Sequence, residues 1–315
     1  MVNAGASRRP FASPCPCRQK LAASKRVSAP RVCDWWHRCQ LRLELAARQP
    51  FLSLKAEQKA PVMRKVLIIG IGAGNPDYIT VQAINALNEV DVFFVIDKGR
   101  EREELLRLRK QICERYVKDK SFRTIEVPDP PRDRSPASYQ TAVVSWHEER
   151  ADLFERMIGE ELREDECGAF LVWGDPSLYD STLRIIERII ARGIVTFEYD
   201  VIPGISSIQA LAARHRIILN RIGKSIHITT GREIAEGLPN NVDDVIVMLD
   251  ADCAFKNINE AAMDIYWGAY LGTEDEILVS GNLRQLTEDI ERMRAEAKER
   301  KGWIMDTYLL RRTDG

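Results

Sequence analysis

Short apolar runs alternate with amphipathic stretches from Lys65 to the end of the chain, and this alternation constrains the fold more than any other feature. Buried strands of parallel sheets typically appear as apolar runs, and the helices that cover them carry one apolar face. The pattern therefore predicts an α/β protein with mostly parallel sheets. The expected strands are KVLIIGI, VDVFFVID, RTIEVP, CGAFLVW and VTFEYDVIP, followed by SIHITTG, DVIVMLD, EILVSG and WIMDTYLL.

Helices are expected between these runs, and together they divide the folded part into two α/β domains in tandem. In residues 80–90, the apolar side chains recur at helical spacing and share one face. The other expected helices are residues 101–115, which are charged and should lie on the surface, and residues 139–163, 178–192, 206–214 and 283–300. We expect an N-terminal α/β domain over residues 63–216 and a C-terminal α/β domain over residues 217–315.

Residues 1–62 belong to a different class of sequence. They hold twelve Lys/Arg against three Asp/Glu, are rich in Ala, Ser and Pro, and show no sustained period. We expect this segment to be a disordered or non-native N-terminal extension. It is expected to be translated from a misassigned upstream start, with Met63 as the natural initiator. A transit peptide, which is also rich in Arg and Ser, and a short binding arm are the alternatives.

The remainder of the chain holds 34 basic and 44 acidic residues, a balance that argues against a nucleic-acid-binding protein. No apolar run reaches the roughly 18 residues needed to span a bilayer, so we expect a soluble, cytoplasmic protein without a membrane partner. Cys113, Cys167 and Cys253 are widely spaced, as reduced thiols usually are. The four cysteines of the N-terminal segment match no common zinc spacing, and no metal is predicted.

Three glycine-containing motifs each follow a predicted strand. They are GIGAGNP at residues 70–76, WGDPSLY at residues 173–179 and VIPGISS at residues 201–207. Ligand sites of open α/β sheets lie at the carboxyl ends of the strands, so the three motifs together predict a binding site. Each alone has a structural explanation: turn glycines, a turn-initiating Asp175 before proline, and Ser206 and Ser207 as helix caps.

The first motif also invites comparison with a dinucleotide-binding loop. A G-x-G-x-x-G fingerprint that begins at Gly70 needs its third glycine at residue 75, where this chain has Asn75. Asp91 and Asp97 remain possible partners of a ribose. A nicotinamide-dependent oxidoreductase therefore stays open as a weaker alternative.

In their order along the chain, the motifs resemble those of the tetrapyrrole methylases. GIGAGNPDYIT, WGDPSLYD and VIPGISS are similar to the family's first three motifs, and VIVMLD and ILVSGNL fall where its later strand motifs fall. The resemblance covers residues 63–311. LVWGDPSLYDSTLRII and WGAYLGTEDEI resemble the branch whose reaction releases acetate. One departure is Ala73-Gly74-Asn75, where most members have Pro-Gly-Asp.

This resemblance implies two tandem α/β domains with S-adenosylmethionine in the cleft between them, and a homodimer. It implies methylation of ring carbon 1 of a metal-free precorrin, with the acetyl group at carbon 20 released as acetate. Another tetrapyrrole or corrin methyltransferase of the family and a non-catalytic tetrapyrrole-binding protein are the alternatives. The cofactor-binding residues implied by motif position are Trp173, Gly174, Asp175, Leu178, Ser206, Ser207, Met248, Tyr270 and Leu271, and those of the substrate cleft are Gly72, Ala73 and Gly74.

Further candidates follow from the chemistry that the resemblance implies. A precorrin carries many carboxylates, for which arginine and lysine are suitable partners. Deacetylation needs a base for water and a donor for an oxyanion, and His147 with Tyr139 and Arg150 is the candidate group. For His147, the alternative is a position on a surface helix where it pairs with Glu148, Glu149 or solvent. The candidate carboxylate clamps are Arg132, Arg134, Lys98 and Arg100, for which solvated surface charge is the alternative.

Overall fold

The computed structural model describes residues 63–97, 103–118, 120–131 and 139–313. These residues belong to one compact unit of the chain. They form two five-stranded sheets with helices packed on them. The predicted α/β class with two lobes is therefore confirmed.

The first sheet and its helices form what we call the first lobe. The strands are β1 (Lys65–Gly70), β2 (Val92–Asp97), β3 (Arg123–Pro128), β4 (Cys167–Val172) and β5 (Glu198–Ile202), and the helices are α1 (Val81–Leu87), α2 (Glu103–Tyr116), α3 (Tyr139–Glu161) and α4 (Thr182–Arg192). The sheet is entirely parallel and has the strand order β3-β2-β4-β1-β5. Its helices cover both faces, α1 and α2 on one side and α3 and α4 on the other.

The apolar runs form the central strands because both of their faces are covered. In β1, Leu67 and Ile69 pack toward α1 and α2, whereas Val66 and Ile68 pack toward α3 and α4. All four side chains are at most 1% exposed. Burying an aliphatic side chain contributes about 1.5–3 kcal/mol, so this double coverage anchors the sheet.

The second sheet belongs to a second lobe. Its strands are β6 (Ile226–Thr230), β7 (Asp244–Met248), β8 (Met263–Ala269), β9 (Ile277–Asn282) and β10 (Asp306–Arg312), and the helices of this second lobe are α5 (Ser207–His215), α6 (Gly231–Ala235) and α7 (Leu283–Lys301). The sheet is mixed, with the order β6-β7-β10-β8-β9. Only β6 and β7 are parallel, and the other neighbours are antiparallel. The expectation of mostly parallel sheets is therefore correct for the first sheet and wrong for the second.

The two lobes share a hydrophobic cluster, which we call the interlobe cluster. It joins the first glycine loop to α5 and to the second sheet, and α5 packs on that sheet although it directly follows the first. Its buried members are Ala73, Ile208, Ala210, Leu211, Ile246, Leu271 and Leu309, and the half-buried Leu178 and Met248 pack against it. The lobes are thus held together by apolar packing. The boundary at residue 216 stays a prediction.

Three elements differ from the sequence-based expectation. Strand β8 and the short helix α6 were not predicted. Helix α4 begins at Thr182 and not at residue 178, because Tyr179 adopts a left-handed backbone with φ of 52°. The carboxylate of Asp180 accepts a hydrogen bond from the Thr182 N–H at 2.7 Å, which forms an Asx turn just before the helix. No helix within the described ranges is long and apolar enough to cross a membrane.

Candidate functional site

Three glycines, one from each motif, meet at the carboxyl ends of β1, β4 and β5. A Cβ atom on Gly70 would lie 2.6 Å from the Gly204 nitrogen and 2.9 Å from the Gly174 carbonyl oxygen. A Cβ atom on Gly204 would collide with that same carbonyl. Only glycine permits such backbone contact, so the three motifs form a single structural unit at this sheet edge.

Asp175 links the second motif to the third through a hydrogen bond. Its Oδ2 accepts a hydrogen bond from the Gly204 N–H at 2.9 Å. Its Oδ1 accepts hydrogen bonds from the N–H and the hydroxyl of Ser177, the former at 2.8 Å. Burial raises the pKa of Asp175, but the hydrogen bonds from Ser177 and Gly204 outweigh it and hold the pKa below its ordinary value. Asp175 is therefore an ionised side chain whose two oxygens both have protein partners.

Ser206 and Ser207 of the third motif connect the first sheet to the second lobe. Ser206 caps α5, because its hydroxyl accepts from the Ile208 N–H at 3.2 Å while Gln209 accepts from the Ser206 N–H at 3.0 Å. The hydroxyl of Ser207 accepts a hydrogen bond from the Thr307 hydroxyl of β10 at 3.0 Å. The capping interpretation of Ser206 is thus confirmed, and Ser207 spans the boundary between the lobes.

The first glycine loop lies at the junction of the lobes. Ala73 is 1% exposed and belongs to the interlobe cluster, and Gly72 pairs with Gly174 through two backbone hydrogen bonds of 3.3 and 2.9 Å. A Cβ atom on Gly74 would collide with the Leu271 carbonyl. The three residues predicted for the substrate cleft are therefore buried against protein, and their exposed surface is small.

The second lobe brings the carboxyl ends of β7 and β8 to the same junction. Met248 and Leu178 both pack against the interlobe cluster. Leu249, the next residue after β7, has a left-handed φ of 54° and is 63% exposed. Tyr270 is 2% exposed, and its hydroxyl donates to the Trp303 carbonyl at 2.5 Å. Tyr270 thus presents its ring to the core of the second lobe.

We call the boundary between Leu178-Tyr179 and Met248-Leu249 the interlobe crevice. Tyr179 is 44% exposed, and its pKa is raised by burial and by the charge of Glu233 in α6. Tyr179 and Leu249 are bulky, exposed and left-handed. Backbone strain of this kind is often kept at ligand-binding sites.

The candidate deacetylation residues lie on α3, near the carboxyl end of β4. His147 is 8% exposed and lies beside Trp146, so the alternative of a solvated surface histidine is wrong. Arg150 is 5% exposed; its Nη1 donates to the Ser181 hydroxyl at 3.0 Å, and its Nε lies 2.9 Å from the Asp129 carboxylate. Burial lowers the pKa of Arg150. The side chain of Tyr139, and all of Lys98, Arg100, Arg132 and Arg134, lie outside the described residues.

One polar residue at this sheet edge was not predicted. Arg109 of α2 donates from Nε to the Leu171 carbonyl of β4 at 3.2 Å and from Nη1 to the Leu105 carbonyl at 3.1 Å. Arg109 lies in the helix that was predicted from the sequence to be charged and exposed on the surface. Nothing in the local pattern distinguishes it from its neighbours Arg107 and Lys110.

The three cysteines of the described ranges are buried and free. Burial raises the pKa of Cys113 to about 12 and that of Cys167 to about 11, so neither is a thiolate at neutral pH. Within the same ranges, His, Cys, Asp and Glu side chains form no group of three that could hold a metal ion.

Comparison with known proteins finds a family whose model matches most of the described chain. Residues 65–287 match the family model of the tetrapyrrole (corrin/porphyrin) methylases. The precorrin-6A synthase [deacetylating] of Sinorhizobium sp is 53% identical over 250 residues, which cover 79% of this chain and 96% of that protein.

Solved structures agree with this assignment. A cobalamin synthesis related protein (CobF) from Corynebacterium diphtheriae superposes with a TM-score of 0.69 at 38% identity, over 80% of this chain and 100% of that one. A uroporphyrin-III-C-methyltransferase from Thermus thermophilus superposes with a TM-score of 0.51 at 18% identity, over 79% and 92% of the two chains. The second similarity concerns the fold alone.

Proposed function

Because the chain belongs to the tetrapyrrole (corrin/porphyrin) methylase family, we propose that it methylates ring carbon 1 of the metal-free precorrin-5 and releases the extruded acetyl group as acetate. The product is precorrin-6A, and the methyl donor is S-adenosylmethionine. The observation that carries this proposal is the 53% identity with a deacetylating precorrin-6A synthase over 96% of that protein. As the family resemblance implies, the enzyme acts as a homodimer, and we place it in the cytoplasm.

The interlobe crevice has the chemical character that an adenosyl cofactor requires. Its apolar walls are Leu178 and Met248, and Leu249 lies beside them with 63% of its surface exposed, so apolar surface is available there for an adenine ring. The backbone of Trp173 and Gly174 and the hydroxyls of Ser206 and Ser207 lie at the adjoining strand ends. The Tyr270-Leu271 segment contributes backbone, because the Tyr270 ring packs in the core.

The work of the chain in methyl transfer is positioning. S-adenosylmethionine, when bound, supplies an electrophilic methyl group on its sulfonium. Asp175 holds the second and third motifs in a fixed relative position by accepting the Gly204 N–H, and the interlobe cluster fixes the distance between the lobes. Holding two reactants in line contributes up to about 7–11 kcal/mol, which is most of what such a transfer needs from a protein.

Release of the acetyl group requires further chemistry. Water adds to the acetyl carbonyl, the bond from that carbon to the ring breaks, its electron pair stays with the ring, the ring takes up a proton, and acetate leaves. We assign the base for the water to His147, and Arg150 and Tyr139 to the developing oxyanion. His147 and Arg150 lie three residues apart on α3, and Arg150 contacts Ser181 just beyond the second motif.

Binding of S-adenosylhomocysteine, measured by calorimetry, tests the methyltransferase function. We expect saturable binding of one equivalent per chain and no heat from NADPH under the same conditions. Incubation with precorrin-5 and S-adenosylmethionine should then yield equal amounts of methylated corrinoid, measured by mass, and free acetate, measured by a coupled assay. Binding of NADPH without S-adenosylhomocysteine would establish an oxidoreductase instead.

The two products also test the role of His147. The variant His147→Ala should form methylated corrinoid while acetate release slows by about a hundredfold, the lower range for loss of a general base. His227→Ala, which alters an exposed histidine of β6, is the matched control and should release both products at the parent rate. Equal slowing of both products in His147→Ala would remove His147 from the deacetylation step.

A further inference from the structure

The first sheet divides at its carboxyl edge, between β2 and β4. The two strands pair only as far as Phe94 and Phe170. Beyond that point, β2 stays with β3 to its end at Asp97, and β4 stays with β1 to its end at Val172. A gap therefore opens between the two halves of the sheet.

The chain connections on either side of this gap run in opposite directions. From β2 the chain passes through α2 to β3, on the face where α1 and α2 pack. From β4 it passes through α4 to β5, on the opposite face. A place where neighbouring strands send their connections to opposite sides is a topological switch point, and open α/β sheets bind ligands in the crevice that results.

Arg109 occupies the base of this gap. The Val172 carbonyl accepts from the Ile71 N–H on the β1 side, so the preceding Leu171 carbonyl faces the side that β2 has left. Arg109 Nε donates to that Leu171 carbonyl at 3.2 Å, in place of a strand neighbour. With Nη1 bonded to Leu105, two of the five guanidinium N–H groups have acceptors among the described residues.

Among the described residues, the charge of Arg109 has less compensation than that of other arginines of low exposure. Arg150, Arg294 and Arg311 each have a carboxylate oxygen within 3 Å, from Asp129, Asp306 and Asp244. Within the described ranges, Arg109 has no carboxylate at ion-pair distance, and Asp180 acts on it only from farther away. Burial lowers the pKa of Arg109 to about 10, so the group stays charged at neutral pH at the cost of lost hydration.

From this arrangement we propose that Arg109 binds a carboxylate of the substrate in the crevice between β2 and β4. The inference rests on the proposed function, because a precorrin carries acetate and propionate side chains. A guanidinium fork suits a carboxylate through paired hydrogen bonds, and the anion would supply the missing charge compensation. Adjacent strands are about 4.8 Å apart. A macrocycle that lies across the end of β4 therefore reaches Arg109 on the β2 side of that strand and the contact among Gly70, Gly174 and Gly204 on the β1 side.

The experiment compares two ligands on three variants. S-adenosylhomocysteine reports on the interlobe crevice, and uroporphyrin III, an octacarboxylate tetrapyrrole, reports on the substrate crevice through fluorescence quenching. Arg109→Gln removes the charge, Arg109→Lys keeps it without the fork, and Lys110→Gln removes a charge from the adjacent, exposed residue of α2. Thermal unfolding of each variant establishes that it is folded.

We expect Arg109→Gln to weaken uroporphyrin binding by about tenfold, as loss of a charged hydrogen bond does, with S-adenosylhomocysteine binding within about twofold of the parent. Arg109→Lys should fall between the parent and Arg109→Gln, and Lys110→Gln should match the parent for both ligands. Parent-like uroporphyrin binding by folded Arg109→Gln, equal loss of both ligands, or a parent that binds no uroporphyrin would each overturn the proposal. A parent that binds uroporphyrin but no S-adenosylhomocysteine would overturn the methyltransferase function instead.

Discussion

The Asp175 carboxylate accepts the Gly204 N–H at 2.9 Å and thereby joins two motifs that are separated by a helix and a strand in sequence. Replacing Asp175 by Ala leaves a half-buried N–H without its acceptor and should lower the free energy of unfolding by about 1–3 kcal/mol. It should also weaken S-adenosylhomocysteine binding by about tenfold or more, since the motifs lose their register. Urea denaturation and calorimetry measure the two effects. Asp165→Ala, at an exposed turn, is the control, and an equal response of both variants would contradict the role of Asp175 in joining the two motifs.

Gly204→Ala tests the contact among the three glycines. The added methyl group would collide with the Gly174 carbonyl, which is backbone and cannot rotate away. We expect a loss of at least about 3 kcal/mol in the free energy of unfolding, above the usual range for overpacking by one methyl group. Gly159→Ala in α3 is the matched control, because its Cβ would meet only the Val195 side chain at 3.1 Å. That variant should stay within about 1 kcal/mol of the parent, and similar losses in both would argue against a backbone contact.

His215 makes the packing of α5 on the second sheet sensitive to acid. Its Nε2 lies 3.1 Å from the Trp267 carbonyl, and burial lowers its pKa below 6.5 in spite of that hydrogen bond and of Glu276. A histidine with a lowered folded pKa contributes stability above its unfolded pKa, and this contribution is lost as the pH falls through the folded value.

Denaturation midpoints measured from pH 7.5 down to about pH 5 should therefore fall in the parent and fall less in His215→Gln. His227→Gln, at an exposed position of β6, should follow the parent curve. A parallel decline of the parent and His215→Gln would show that other groups govern the acid response.

The ion pair of Arg150 and Asp129 is buried, with side-chain exposures of 6% and 15%. Asp129→Asn removes the negative partner of a buried guanidinium, and we expect a loss of about 3 kcal/mol in urea denaturation. The matched control is Asp289→Asn, which breaks an exposed pair with Arg292 and should cost less than about 0.5 kcal/mol. If Asp129→Asn is no more costly than the control, water or another group must compensate Arg150.

The central strands of the first lobe could be predicted because they are buried on both faces. An apolar run such as CGAFLV has one explanation in an α/β chain, and all six residues of β4 are buried. Strand β8 is different, since Asp264 and Tyr266 interrupt its apolar residues, and the buried side chains Met263, Ile265, Trp267 and Ala269 alternate along it. That period of two was present in the sequence and would have identified the strand.

The candidate site was predictable only in part, for a related reason. The three motifs carry glycines and a proline whose turn chemistry is local, so their positions at strand ends could be inferred. Arg109 and Thr307 have no such signal. Each acquires its role from a partner distant in sequence, Leu171 for Arg109 and Ser207 for Thr307.

Strand β10 is the last strand of the chain, yet it lies in the middle of the second sheet, between β7 and β8. On the ribosome, the first sheet has all five strands once Ile202 has emerged, and it can fold while synthesis continues. The second sheet must wait for residues 306–312, and until then β7 and β8 present unpaired inner edges that favour aggregation. A chain that stops before residue 306 would therefore hold every strand of the first sheet, but its second sheet would fall into two unjoined pairs, β6-β7 and β8-β9.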